Sequence, residues 1–161
     1  MAAWLNDFWT GLSNDFQFPG GVETGQVVGR IVVAAALGAL LGSERMHRGK
    51  SAGMRTHAIV SLAAAFFVLA PHQAGMSSDS LSRIIQGVAA GVGFLGAGTI
   101  LKQQDGRKVR GLTTAGSLYL ATAIGIAAGL GRELVAALCT GAALLVLSFL
   151  PSGDDSSVEG S

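Results

Sequence analysis

The chain has 161 residues, of which half are hydrophobic, 13% are charged and 24 are glycine, and its formal net charge is +1. Soluble domains carry roughly 25% charged residues, so this composition argues against an ordinary water-soluble domain and for one domain in a non-aqueous environment. No basic patch is interleaved with exposed aromatics, which argues against nucleic acid as a partner, and one cysteine, Cys139, cannot form an intramolecular disulfide.

Residues 1–24 form the first segment. Trp4, Leu5, Phe8, Leu12 and Phe16 recur at helical spacing, with Asp7, Asn14 and Asp15 elsewhere on the turn. Trp4, Phe8, Trp9, Phe16 and Phe18 are half of the chain's aromatic residues. Aromatic rings favour the headgroup level, so the spacing predicts an amphipathic helix lying in the interface and stopped by Pro19-Gly20-Gly21. The alternative is a disordered tail, since short isolated helices are marginal. Without a basic start or a continuous apolar run, the segment does not read as a cleaved signal peptide.

Residues 25–150 hold five apolar stretches, at 25–42, 55–70, 83–101, 111–130 and 133–150, with Pro71 expected to end the second. A spanning helix needs roughly 20 residues. None of the five has the charged outer face that a helix in a soluble bundle shows. The predicted fold is therefore all-α: a polytopic membrane protein with about five transmembrane helices and an N-terminal interfacial helix. Residues 151–161 form a polar tail.

The links orient the spans. Arg45, Arg48, Lys50 and Arg55 lie in or beside the first link, and Lys102, Arg107, Lys108 and Arg110 in the third. The second and fourth links offer only Arg83 and Arg132. Cytoplasmic loops are enriched in Lys and Arg, which predicts an outside N-terminus and a cytoplasmic C-terminus. The acidic tail residues Asp154, Asp155 and Glu159 contribute little to that rule.

Glycines recur four apart at Gly25/Gly29, Gly38/Gly42, Gly87/Gly91 and Gly125/Gly129. Such pairs let helix backbones approach closely in lipid. The third span adds Gly93, Gly96 and Gly98, and this density predicts that it is the central helix. The contact could lie within one copy or between copies.

A polar group inside lipid is costly and has a reason to be there. Arg30 lies inside the first span near its outer end, and Arg83 and Gln86 at the outer end of the third. Arg30 could snorkel to headgroups, or face inward to meet Gln86, a carbonyl or an anion. Glu44, Arg45 and Arg55 gather at the cytoplasmic mouth, where Thr113, Thr114 and Ser117 enter the fourth span. The spans hold few carboxylates, which argues against a Mg²⁺ path built on them.

Several motifs fail on their context. Gly91 to Gly96 matches a dinucleotide fingerprint, but within an apolar span and without a carboxylate near Thr113. Gly49-Lys50-Ser51 resembles the end of a phosphate loop, with Glu44 where the first glycine belongs. His47, His57 and His72 follow no metal-ligand spacing, and no Ser or Thr has the neighbours of a nucleophile. No enzymatic activity and no cofactor are expected; whether a metal binds stays open.

Three strings carry a family resemblance: GALLGSERMHRGKSAGMRTHAIV from Gly38, RIIQGVAAGVGFLGAGTIL from Arg83 and VRGLTTAGSLYLATAIGIAAGLG from Val109. They resemble the MgtC/SapB family of bacterial inner-membrane proteins across roughly residues 30–150. The matching positions are Glu44, Arg45, Gly53, Arg55, Thr56, Gln86, Gly93, Phe94, Gly96, Gly98, Arg110, Gly111, Thr113 and Thr114. The resemblance implies a cytoplasmic-membrane location, a link to growth at low Mg²⁺ and to virulence, and modulation of other membrane machinery, including the proton-translocating ATP synthase. Some members carry a C-terminal soluble domain where this chain has PSGDDSSVEGS, so the resemblance is to the short form.

Two functions follow. One is a non-catalytic regulator acting by helix contact, through its glycine faces and the polar residues around Glu44, Arg55 and Thr113. The other is a small transporter or channel for Mg²⁺ or another solute, with Arg30, Gln86 and the threonines lining a path, alone or in a homo-oligomer.

Overall fold

Within lipid a backbone has only its own hydrogen-bonding groups to pair with, which favours continuous helices. The computed structural model describes residues 2–15, 20–102 and 109–150 and follows that rule. Its elements are α1 (Ala2–Asp15), α2 (Gly21–His47), α3 (Met54–Gln73), α4 (Ser78–Thr99), β1 (Leu101–Lys102), β2 (Val109–Arg110), α5 (Leu112–Gly129) and α6 (Glu133–Phe149). Helices α2, α3, α4 and α5 are long and apolar enough to cross a membrane. The fifth apolar helix, α6, has 17 residues, at the low end of the roughly 17–25 a span uses.

The chain is an all-α polytopic membrane protein, with departures from the sequence expectation at element ends, in the third link and in the choice of central helix. Pro71 does not end the second span: it sits inside α3, two residues before Gln73. Proline removes only the bond from its own nitrogen to the carbonyl four residues earlier, and Ala74 N still donates to Ala70 O beyond it. The helix of the first span, α2, runs past residue 42 to His47 and carries Glu44 and Arg45 on its last turn. Between α4 and α5 the third link contains a short antiparallel ladder, Leu101 opposite Arg110 and Lys102 opposite Val109.

The central helix is α5, not the glycine-dense α4. Half of the α5 span is buried, against 11% of the α4 span, and α5 packs on α2, α3, α4 and α6. The core is built from small residues: Ala34 of α2, Ala65 of α3, Ala121 and Ala128 of α5, and Ala136 and Ala143 of α6, filled out by Leu41, Ile124 and Leu147. Lipid supplies no hydrophobic drive between helices, so close backbone approach does the work.

That approach uses Gly38 and Gly42 of α2 and Gly125 and Gly129 of α5. A Cβ at Gly42 would stand 2.7 Å from Gly53 O and from Met54 Cα, and one at Gly38 would stand 2.7 Å from His57 O. On α5, a Cβ at Gly125 would overlap Ser61 O, and one at Gly129 would stand 2.5 Å from Ala65 O. Helix α3 is thus gripped by α2 on one side and α5 on the other. Ahead of α5, Gly111 holds φ at +94°, and a Cβ there would overlap Thr99 O; only glycine takes this turn without strain.

Helix α1 forms as the aromatic spacing predicts, and Trp4, Leu5, Phe8 and Trp9 are exposed on it. Phe16, Phe18, Pro19, residues 103–108 and the tail 151–161 lie outside the described residues.

Candidate functional site

The end of α2, the starts of α3 and α5 and the end of α6 meet at one end of the bundle, and polar side chains are buried there. Arg45 is 1% exposed, and the Glu44 side chain beside it only 12%. Glu44 Oε2 lies 3.5 Å from Arg45 Nη1, and Glu44 Oε1 lies 2.7 Å from Arg48 Nε. Both carboxylate oxygens, and Arg45 Nε and Nη2, lack an aligned hydrogen bond among the described residues. Charge holds Glu44 beside Arg45, which makes the pair sensitive: removing one member of a buried pair strands the other in low dielectric.

Arg48 reaches further. Its Nη2 donates to Ser148 O at 2.8 Å, on the last turn of α6, where free carbonyls and the helix dipole favour a cation. Glu44 and Arg48 therefore link the end of α2 to the end of α6.

One turn into α3, His57 is fully buried. Its Nδ1 donates to Gly53 O at 2.9 Å, and its Nε2 lies 2.9 Å from Ser117 Oγ. A carbonyl can only accept, so Nδ1 carries hydrogen. The Ser117 hydroxyl is also 2.8 Å from Thr114 O. It has a single hydrogen to give: donated to Nε2 it fits a neutral ring, whereas donated to Thr114 O it requires Nε2–H and a cationic ring. Ser61, one turn on, donates to Ala34 O at 2.8 Å and ties α3 to α2. Thr122 and Thr140 donate to carbonyls four residues back and so satisfy themselves without a partner helix.

Of the residues singled out from sequence, Glu44, Arg45, Thr114 and Ser117 enter this cluster, Thr114 through its carbonyl. Thr113 is partly buried at the same end. Arg55 and Thr56 are exposed and line a shallow cavity with Met46 and Gly53 rather than joining Glu44. Arg110 is exposed on the β2 strand. Arg30 is at the opposite end of the bundle and donates to Gly129 O at 3.4 Å, so it meets a carbonyl. Gln86 turns to Ser82 on its own helix, and Arg83 to Ser80. The polar residues grouped at the sequence level are therefore split between two ends and the surface.

The glycines divide likewise. Gly38 and Gly42 lie in the α2–α3 contact, and a Cβ at Gly96 would touch Ala115 at 3.4 Å. Around Gly87, Gly91, Gly93 and Gly98 nothing lies within 4 Å of a built Cβ. Gly87 and Gly91 instead line an open apolar groove of about 520 Å³ between α3 and α4, walled by Ile59, Phe67 and Leu95.

Sequence reasoning missed Arg48, His57 and Ser61 as members of the cluster. A signal was present: His57 and Ser61 are four apart within an otherwise apolar stretch, a polar stripe on one helix face. Among the described residues no three His, Cys, Asp or Glu side chains gather to hold a metal.

The fold and its buried charge cluster define a small polytopic α-helical membrane protein whose polar core lies at one end of the bundle. The chain belongs to the MgtC family, whose model matches residues 31–155. Protein SrpB of Synechococcus elongatus is 44% identical over 130 residues, covering 74% of this chain and 71% of SrpB. Protein MgtC of Salmonella typhimurium is 44% identical over 102 residues, 63% of this chain and 42% of that protein. Protein MgtC of Brucella abortus is 42% identical over 108 residues, 66% of this chain and 44% of its own length. The chain thus spans less than half the length of these MgtC relatives. No solved structure matches it.

Proposed function

We propose that the protein is a non-catalytic regulator in the bacterial cytoplasmic membrane, linked to Mg²⁺ homeostasis and low-Mg²⁺ adaptation, that acts by packing against other membrane proteins. The observation that carries the reading is the division of labour among glycines. Gly38 and Gly42 of α2 and Gly125 and Gly129 of α5 are consumed in holding the bundle together, while Gly87 and Gly91 of α4 face an open groove. A face of small residues in lipid suits another helix, whether from a second copy or from a partner such as the ATP synthase that the family resemblance implies. The buried hydroxyls support the same reading over transport, since Ser61, Thr122 and Thr140 are sealed from solvent and donate to backbone carbonyls, serving the helices rather than lining an open path.

In this reading the link between α2 and α3 faces the cytoplasm, as its basic residues favour, and α1 lies in the interface through its exposed aromatics. The test is cross-linking in native membranes from cysteines placed beside the groove, with Gly87→Leu and Gly91→Leu variants alongside. A specific adduct that the leucine variants abolish, while they still fold, supports the regulator. Adducts and low-Mg²⁺ growth unchanged in both variants would remove its basis, and Mg²⁺ flux into liposomes holding the purified protein would favour the transporter.

A further inference from the structure

The end of the bundle away from Glu44 carries a second polar feature that the regulator reading does not use. A cavity of about 360 Å³ opens there, lined by Glu23, Gln26, Val27 and Arg30 of α2 and by His72 and Gln73 of α3. Its volume falls at the lower end of the roughly 300–1,000 Å³ of small-molecule sites, yet five of its six lining residues are polar.

The charges are the informative part. Glu23 and Arg30 are seven residues apart on one helix, hence on one face and about 10 Å apart along the axis. They line the same cavity, but neither makes an ion pair among the described residues. Arg30 is positioned from behind. Its Nη1 donates to Gly129 O, and its guanidinium lies so close to the backbone at Gly131 that a Cβ there would be 2.7 Å from Nη2. An opposite pair held apart across an open cavity is complementary to a molecule that carries both signs.

We propose that this cavity binds a small zwitterion with an ammonium group and a phosphate, the chemistry of phosphoethanolamine. Arg30 takes the phosphate, because a guanidinium fork matches its geometry. Glu23 accepts from the ammonium, and the Gln26 and Gln73 amides and the His72 ring supply further hydrogen bonds. The cavity lies where the spans end, within reach both of a lipid headgroup and of the free compound.

The test uses the full chain in phosphatidylcholine nanodiscs, whose own headgroup has no N–H to donate. Free phosphoethanolamine is titrated calorimetrically against phosphocholine and inorganic phosphate. In a second arm, protein extracted from vesicles of phosphatidylethanolamine and phosphatidylglycerol is examined by native mass spectrometry for retained lipid. Each arm is repeated with Glu23→Gln, an exposed position in the first turn of α2 whose helicity is checked by circular dichroism. The expected result is a preference for the ethanolamine compound that E23Q weakens at least tenfold, because the neutral amide lacks the charge that strengthens the hydrogen bond to the ammonium. Such a preference in solution identifies the free compound as a ligand, and one seen only in the vesicle arm identifies the lipid headgroup. Equal binding by wild type and E23Q, phosphate binding as tight as phosphoethanolamine, or no binding in either arm would overturn the proposal.

Discussion

Gly42 and Gly91 read alike in sequence, each closing a pair of glycines four apart, but alanine at the two positions should behave in opposite ways. At position 42 the new Cβ would stand 2.7 Å from Gly53 O and Met54 Cα and 2.9 Å from His57 Cβ. Two of these atoms are backbone and cannot swing aside. To restore an ordinary 3.4 Å contact, α2 and the start of α3 must separate by about 0.7 Å. The 2.8 Å bond from Ser61 Oγ to Ala34 O crosses the same α2–α3 contact and then stretches to about 3.5 Å, beyond the range of a good O–H···O hydrogen bond. Overpacking costs about 1–3 kcal/mol and a lost hydrogen bond about 1 kcal/mol. Together they should lower the melting temperature by about 4–16 °C for a chain of this size. Gly91→Ala meets nothing within 4 Å and should stay within about 0.5 kcal/mol of wild type. The assay is thermal unfolding of the purified chain in detergent, followed by size-exclusion fluorescence. Melting of G42A together with wild type, or a loss in G91A as large as that in G42A, would refute a close α2–α3 approach at Gly42.

Glu44→Gln should destabilise by about 3 kcal/mol, because it leaves Arg45 buried without its counter-charge; adding Arg45→Met should recover part of that loss, and a double variant no better than E44Q would contradict a shared charge cluster. Ser117→Ala should cost about 1–3 kcal/mol by stranding His57 Nε2, whereas Ser43→Ala, which removes only an exposed bond to Leu40 O, should melt within about 0.5 kcal/mol of wild type. Equal melting of the two serine variants would show that the His57 contact contributes nothing to stability.

Much of the fold was legible because apolar runs and basic links are properties of short stretches. The five apolar segments, their helical state and the helical N-terminus all follow from local composition and period. Element ends were harder. Pro71 marked a stop that the last turn of α3 does not need, and the helix carries Glu44 and Arg45 beyond the apolar run of α2. The candidate site was legible only in part. Glu44 and Arg45 announced themselves as charges at a span boundary. His57 and Ser61 were hidden by the absence of a metal or catalytic spacing, although their partners are a serine 60 residues away and a carbonyl of α2.

By itself the sequence determined a membrane protein with a run of spanning helices, two basic links and membership in one family, since hydropathy and motif are read along the chain. Only the tertiary structure decided which helix is central, and which glycines bind helices together. A glycine pair states that a backbone can approach closely, not whether one does. Gly42 and Gly125 meet backbone across the α2–α3 and α3–α5 contacts, while Gly87 and Gly91 open onto a groove. The same holds for charge. Arg30 and Arg45 are both arginines of α2, but one is set against the end of α5 beside an open cavity and the other is sealed beside Glu44. That difference lies in what each helix face meets, which no local pattern of residues encodes.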